Sequence, residues 1–183
     1  MDNASNTPGP SSTSARPAAD AMPELDVLFP DLLALTGEGS PLSVTSLREE
    51  SCLDPVMDEN WNKLTRATGT ATGRYENHST AQAAMDTFQT YADSNGWAVD
   101  YEVRNEKDNN GVVHEINYFK DGLTLLAIYD HADRSGSRVV QLIISTPCAE
   151  NSEDHQMIRS KLDPEYGTSS RLYDSDAEKA DPA

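Results

Sequence analysis

Residues 114–130, HEINYFKDGLTLLAIYD, predict a β-hairpin. Asp121-Gly122 is a favoured pair for a two-residue turn of type I′, and the residues on both sides of it carry the apolar side chains of two strands. A turn of two residues fixes the register of its strands, so Tyr118 is expected to lie opposite Leu125. The rest of the predicted fold is built outward from this hairpin.

The sequence on both sides of the hairpin predicts further strands and one helix. Apolar and polar residues alternate over 97–104, and further strands are predicted at 64–75 and 138–146. Residues 79–94 carry an apolar stripe at helical spacing, and Asn95-Gly96 supplies a left-handed stop. The expected fold class is α+β, with one helix packed on a four- or five-stranded antiparallel sheet in hairpin order, between disordered N- and C-terminal arms.

The apolar fraction is 37% over 183 residues, which is low for a globular chain, so part of the chain is expected to bury nothing. The expected segments are a disordered linker (1–21), a Leu-rich and partly helical segment (22–44), a single α+β domain (45–150) and an acidic, largely disordered tail (151–183). Pro30 is expected to break the helical part. Residues 25–35 are expected to cover the sheet face that the helix leaves open.

The acidic charge of the chain lies mainly outside the expected domain. The net charge is −17, of which residues 1–60 contribute −9, residues 61–148 contribute −3 and residues 149–183 contribute −5. No basic stripe is available to displace the counterions of a phosphate backbone, which argues against a nucleic-acid partner. No apolar run reaches the roughly 18 residues that a transmembrane helix needs.

The two cysteines, Cys52 and Cys148, lie just outside the two ends of the expected strands and helix. A disulfide between them would join the entry of the domain to its exit. Closing a loop of about 97 residues would stabilise the fold by roughly 4–5 kcal/mol in the chain-entropy model. Such a bond implies an oxidising compartment, and hence export. The alternative is two unrelated thiols in a cytosolic protein.

Several short strings of this sequence resemble the exported lipoprotein domains of unknown function that are common in actinobacteria. They are a Ser/Pro/Thr/Ala-rich acidic leader, Ser51-Cys52 ahead of the domain, a helix that runs into Asn95-Gly96-Trp97, and an ending of the form Ser145-Thr146-Pro147-Cys148. The resemblance implies an extracellular or cell-envelope location, with a lipid anchor on an N-terminal segment of the full-length protein. The signal peptide and lipobox cysteine of such proteins do not occur in this sequence, and the resemblance assigns no catalytic residue.

The usual signatures of nucleotide-binding, hydrolytic and calcium-binding proteins do not occur, so no cofactor is expected.

The best candidate site is His114, Asp130 and His131, because the hairpin brings His114 close to the other two. Two imidazoles and a carboxylate can bind a metal ion or exchange protons. They converge only if the second hairpin strand ends at Asp130; otherwise they are solvated side chains near a turn. His155 is left out because it falls in the expected tail.

Four aromatic residues share the alternating apolar positions, so they are expected in the core, with an aromatic binding surface as the alternative. They are Trp97, Tyr101, Tyr118 and Tyr129.

The leading function is a non-enzymatic exported or cell-surface module that binds an unknown protein or envelope component. One alternative is an immunity or inhibitor protein directed against a basic toxin or enzyme. The other is a hydrolase or metal-dependent enzyme that uses the histidine candidates.

Overall fold

The computed structural model describes residues 15–54, 60–107, 111–132, 137–168, 170 and 172–173. Two helices and seven strands make up this part of the chain, so the fold is α+β. The helices are α1 (Ala18–Ala34) and α2 (His78–Ser94). The strands are β1 (Ser43–Ser51), β2 (Leu64–Arg74), β3 (Ala98–Lys107), β4 (Gly111–Lys120), β5 (Leu123–Ala132), β6 (Ser137–Ser145) and β7 (Ala149–Glu150).

All the strand pairs are antiparallel, and the strand order is β1-β2-β6-β5-β4-β3, with β7 paired to the start of β2. The sheet is therefore larger than the four or five strands that were predicted. The hairpin order is also wrong for β2, which pairs with β6 at the other end of the chain. The connection through α2 carries the chain across the sheet from β2 to β3, and this crossing lays the apolar stripe of α2 on β5 and β6.

The β4–β5 hairpin has the predicted register. Tyr118 pairs with Leu125, and His114 pairs with Tyr129. Asp121 has φ 51° and Gly122 has φ 84°, the positive values that a type I′ turn requires at both central positions. The local turn chemistry therefore fixes the centre of the sheet.

Both helices pack on the same face of the sheet, which we call the helix face. α1 lies on β1 and β2, next to α2 on β5 and β6. A Cβ atom at Gly69 would come within 2.9 Å of the Leu47 side chain on β1 and 3.2 Å of the Phe29 side chain on α1, so glycine favours this close packing of α1. The expectation that residues 25–35 cover the opposite face is wrong. The reason is that β1 and β2 extend the helix face beyond the reach of α2.

Helix α1 also differs from its predicted limits. It begins at Ala18, inside the range assigned to the linker, and it remains helical through Pro23 and Pro30. Buried side chains such as Phe29 and Leu32 hold this part of the helix on the sheet, and their packing offsets the hydrogen bonds that the prolines remove. Residues 1–14, the rest of the predicted linker, lie outside the described residues.

The segment after β7 is ordered as far as it is described, although the sequence predicted a largely disordered tail from residue 151. It runs beside the outer edge of β1, where the amide of Glu49 donates to the carbonyl of Ile158 (2.9 Å) and the amide of Ser160 donates to the carbonyl of Leu47 (2.9 Å). The carboxylate of Asp163 accepts from the amide of Leu47 at 2.8 Å. The segment thus covers an edge that would otherwise be free. Residues 174–183 lie outside the described residues.

A disulfide joins Cys52 to Cys148, as the sequence predicts. The two residues are 96 positions apart, and the bond connects the end of β1 to the segment between β6 and β7. A disulfide of this kind indicates an oxidising environment. Within the described part of the chain, no helix is both long and apolar enough to cross a membrane.

Candidate functional site

The face of the sheet opposite the helices carries a broad apolar surface on strands β3 to β6, which we call the open face. Neither α1 nor α2 packs on it, and its side chains are half-buried or exposed. The side chains that define it are Tyr101, Val103, Val113, Phe119, Leu126, Ile128, Val139 and Ile143. An apolar surface of this breadth is typical of an interaction site rather than of scattered surface residues.

The edge of the open face is its most exposed part. Tyr101, Val103 and Phe119 expose 40%, 38% and 49% of their surface. Tyr101 and Val103 stand on β3, the edge strand, beside Phe119 on β4. Three large apolar side chains thus point to solvent side by side, in the positions where a partner would reach them first.

A β-bulge in β3 places Tyr101 and Val103 on the open face. Val99 pairs with Tyr118 on the helix face, but the register shifts at the next step, so Tyr101 pairs with Asn117 on the opposite face. Simple alternation would put Val99 and Tyr101 on one face, which is why the sequence predicted Tyr101 in the core. That prediction is wrong because a bulge inserts one extra residue and reverses the side to which later residues point.

Three acidic side chains frame the open face: Asp100, Glu115 and Asp130. The Asp100 carboxylate accepts from the Asn117 amide nitrogen at 3.1 Å. The Tyr101 hydroxyl donates to Glu115 at 2.5 Å, and this hydrogen bond, followed by burial and nearby negative charge, raises the pKa of Tyr101. Among the described side chains on this face of β3 to β6, none is basic. The surface therefore combines apolar and negative character.

The three residues of the predicted histidine site do not share one face. His114 is buried on the helix face, and its Nε2 lies 3.0 Å from a carboxylate oxygen of Glu102. The pKa of Glu102 is lowered by its hydrogen bond to Arg104 and then by the one to His114. Because β5 continues to Ala132, Asp130 points to the open face while His131 points to the helix face.

A third histidine, His78 of α2, lies beside Tyr129 and His131 on the helix face. His78, the first residue of α2, lies with its Nδ1 2.8 Å from the hydroxyl of Tyr129, and the ring centroids of His78 and His131 are 5.9 Å apart. Sequence reasoning could place His114 opposite Tyr129, but it gave no sign of where α2 would dock. Within the residues that the structure describes, no group of three or more His, Cys, Asp or Glu side chains is arranged to hold a metal ion.

A second polar cluster surrounds Glu49, whose side chain is fully buried. Its carboxylate accepts from the Thr65 hydroxyl and from the Ile158 amide (3.2 Å), and it lies 2.6 Å from Nε2 of His155. Asn151 adds a weaker contact at 3.4 Å. The sequence had excluded His155 as a tail residue. Its role here is to help fasten the C-terminal segment to β1 and β2.

The cavities among the described residues include two beside the helices. One, of about 490 Å³, lies between residues 36–41, the end of β2 and the start of α2, and its charged lining residues are Glu38, Arg74 and Glu76. This mixed lining favours no single class of ligand. The other, of about 310 Å³, lies between α1 and the C-terminal end of α2.

Comparisons with protein-family models, with curated proteins and with solved structures give no match to this chain.

Proposed function

We propose that this chain is a non-enzymatic binding module of the cell envelope or the extracellular space, and that it binds a partner protein through the open face. The observation that carries the proposal is the row of exposed apolar side chains, Tyr101, Val103 and Phe119, on a sheet face that neither helix covers. The partner is a protein surface that presents apolar side chains surrounded by lysine or arginine.

The physical argument has an apolar part and an electrostatic part. Complete burial of one large apolar side chain stabilises by roughly 1.5–3 kcal/mol, and each of these three side chains still has about half of that burial to gain. The surrounding acids Asp100, Glu115 and Asp130 contribute mainly to specificity and to the rate of association. The net charge of −17 would attract a basic partner over longer distances, in a manner that salt screens.

The proposed location rests on the disulfide and on the resemblance to actinobacterial lipoprotein domains. The bond between Cys52 and Cys148 supports an oxidising compartment. A lipid anchor on the full-length protein would hold the domain at the membrane surface. The sequence of residues 1–14 is rich in Ser, Thr, Pro and Asn, a composition typical of a linker between an anchor and a domain.

An inhibitor of a basic enzyme or toxin is the second candidate function. The observation in its favour is the same acidic frame, since Asp100 and Asp130 are exposed on the folded domain. The two functions differ in one measurable way: an inhibitor abolishes the activity of its partner in a stoichiometric complex, whereas a binding module leaves that activity intact.

The open face can be tested with a defined probe, a synthetic amphipathic helix of leucine and lysine. We expect it to shift the amide resonances of β3 to β6 in a salt-sensitive way, and we expect the same helix with glutamate in place of lysine to have no effect. Phe119→Ser should weaken binding about tenfold, whereas the matched control Leu162→Ser, at an exposed leucine of the C-terminal segment, should not.

The proposal is overturned if Phe119→Ser and Leu162→Ser bind the probe equally well, or if the shifted resonances lie outside the open face. The natural partner can then be sought by placing a photo-crosslinking residue at position 119, with position 162 as the control. The expected product is a basic protein that is crosslinked at position 119 and not at position 162.

A further inference from the structure

We propose that the cleft between α1 and the C-terminal end of α2 binds an organic cation, namely an alkylammonium or guanidinium group. This site lies on the helix side of the sheet, so the inference goes beyond the open face and is independent of it. The cleft has a volume of about 310 Å³ and is lined by α1, by Tyr91 and Trp97, and by residues of the β4–β5 hairpin around its turn.

The α1 wall of the cleft follows from helical spacing. Glu24, Val27, Leu28 and Asp31 recur at intervals of three and four residues, so they form one stripe along the helix. Val27 in this stripe is 65% exposed. The stripe therefore offers apolar contact with a carboxylate at each end, and part of its apolar surface is still open to a ligand.

The opposite wall is aromatic. Tyr91 from α2 and Trp97 from the following turn both line the cleft. Trp97 is only 7% exposed, so packing holds its indole and a small part of the side chain reaches the cleft. Positive charge near the face of tryptophan or tyrosine is stabilised by the ring quadrupole, which makes a fixed aromatic wall suitable for a cationic headgroup.

The charges at the cleft also favour a cation. Asp31 and Asp121 line it and take part in no ion pair among the described residues, whereas Glu24 is already paired with Arg16. Lys120 also lines the cleft, and its ammonium donates to the carbonyl of Asn95 at 2.8 Å, so this resident cation already serves the helix end and Asp31 and Asp121 are the carboxylates left for a ligand.

The size of the cleft limits the ligand. A volume of about 310 Å³ is at the lower end of the range for small-molecule sites, so it suits a headgroup or a single side chain. Two sources could supply that chemistry: a lysine or arginine side chain of a partner protein, or a free quaternary ammonium compound. The experiment has one arm for each source.

The test uses the full chain with Trp61→Phe, which leaves Trp97 as the only tryptophan. Choline, Nα-acetyl-lysine methylamide and Nα-acetyl-arginine methylamide are titrated at constant ionic strength while Trp97 fluorescence is recorded. The neutral isostere of choline, 3,3-dimethylbutanol, is the ligand control. We expect a saturable response to at least one cation and none to the alcohol. A response to choline alone indicates a free quaternary ammonium ligand, and a response to the two amides alone indicates a basic side chain.

Two variants connect the response to the cleft. Asp31→Asn and Asp121→Asn should each raise the dissociation constant about threefold, since each removes one carboxylate near the bound cation. Asparagine tolerates the positive φ of position 121, so that variant keeps the turn. The control is Asp86→Asn, on the exposed side of α2 away from the cleft.

The inference is overturned if choline and its neutral isostere act alike, if no cation gives a saturable response, or if all three variants bind equally well. The Trp97 indole N–H resonance of the unmodified chain, recorded with the same ligands, gives a second readout that needs no substitution. None of these measurements involves Phe119 or Tyr101, so failure here leaves the open-face proposal standing, and the reverse also holds.

Discussion

Nε2 of His155 lies 2.6 Å from Oε1 of Glu49, a carboxylate with no exposure to solvent. The two residues are 106 positions apart, and the contact joins the C-terminal segment to β1. Burial of a charged or polar group is costly unless it is hydrogen-bonded, so Glu49 depends on the partners that this segment supplies.

His155→Ala is expected to lower the free energy of unfolding by about 1–3 kcal/mol, because it leaves a buried carboxylate short of a partner. The same change should increase hydrogen exchange at Ile158 and Ser160, whose backbones pair with β1. Urea denaturation and hydrogen-exchange mass spectrometry measure the two effects. Glu153→Ala, on the exposed side of the same segment, is the control and should change stability by less than about 0.5 kcal/mol. Equal effects of the two variants would show that the Glu49 contact contributes nothing.

Tyr118→Phe is expected to be neutral or stabilising near pH 7. The side chain of Tyr118 is fully buried, and its hydroxyl has no hydrogen-bond partner among the described residues. Removing it should therefore cost nothing and gain up to about 1 kcal/mol. Tyr129→Phe is the matched control, because the Tyr129 hydroxyl contacts His78 and its loss should destabilise. A clear destabilisation by Tyr118→Phe in urea would contradict the prediction.

The stability of the fold should fall at alkaline pH partly through Tyr118. Burial, followed by the negative charges of Asp93 and Glu102, raises the pKa of Tyr118 to about 12. A tyrosine in the unfolded chain ionises at pH ~10. The part of the unfolding free energy that comes from the raised pKa of Tyr118 is therefore fully present below pH ~10 and is lost as the pH rises toward 12. The decrease in unfolding free energy between pH ~9 and ~11 should be smaller in Tyr118→Phe than in the unmodified chain. Identical pH profiles would refute this assignment.

Replacement of both Cys52 and Cys148 by serine is expected to destabilise the protein by up to about 4–5 kcal/mol, since the bond closes a long loop in the unfolded chain. The unfolding midpoint in urea should fall in the double variant and in the reduced protein alike. Mass spectrometry of unreduced peptides tests the bond directly. Two free thiols in protein from an oxidising compartment would contradict both the bond and the proposed location.

Gly69→Ala is expected to cost about 1–3 kcal/mol through overpacking. The added methyl group would lie 2.9 Å from Leu47, 3.1 Å from Ile144 and 3.2 Å from Phe29. Leu47→Val removes part of the nearest obstacle, so the double variant should be more stable than the sum of the single effects predicts. Strict additivity would show that the contact between position 69 and Leu47 is looser than these distances indicate.

The sequence by itself determined the elements whose information is local. Asp121-Gly122 specified the turn and the register of the hairpin, the apolar stripe and Asn95-Gly96 specified α2, and the two flanking cysteines specified the disulfide. In each case the residues that decide the structure are close together in the chain or belong to a pairing with few alternatives. Turn chemistry and periodicity act over this range.

Only the tertiary structure decided the parts that depend on distant contacts. Strand β1 carries inward-facing Glu49, so its sequence lacks the apolar alternation of a buried strand, and its partners Thr65 and His155 come from other parts of the chain. The bulge that turns Tyr101 onto the open face has no sequence signature, because it shifts the register of a strand without interrupting it. Which face α1 and α2 cover was also undetermined, since both faces of the hairpin carry apolar residues. The choice depends on the crossing of the chain from β2 to β3, which no local pattern encodes.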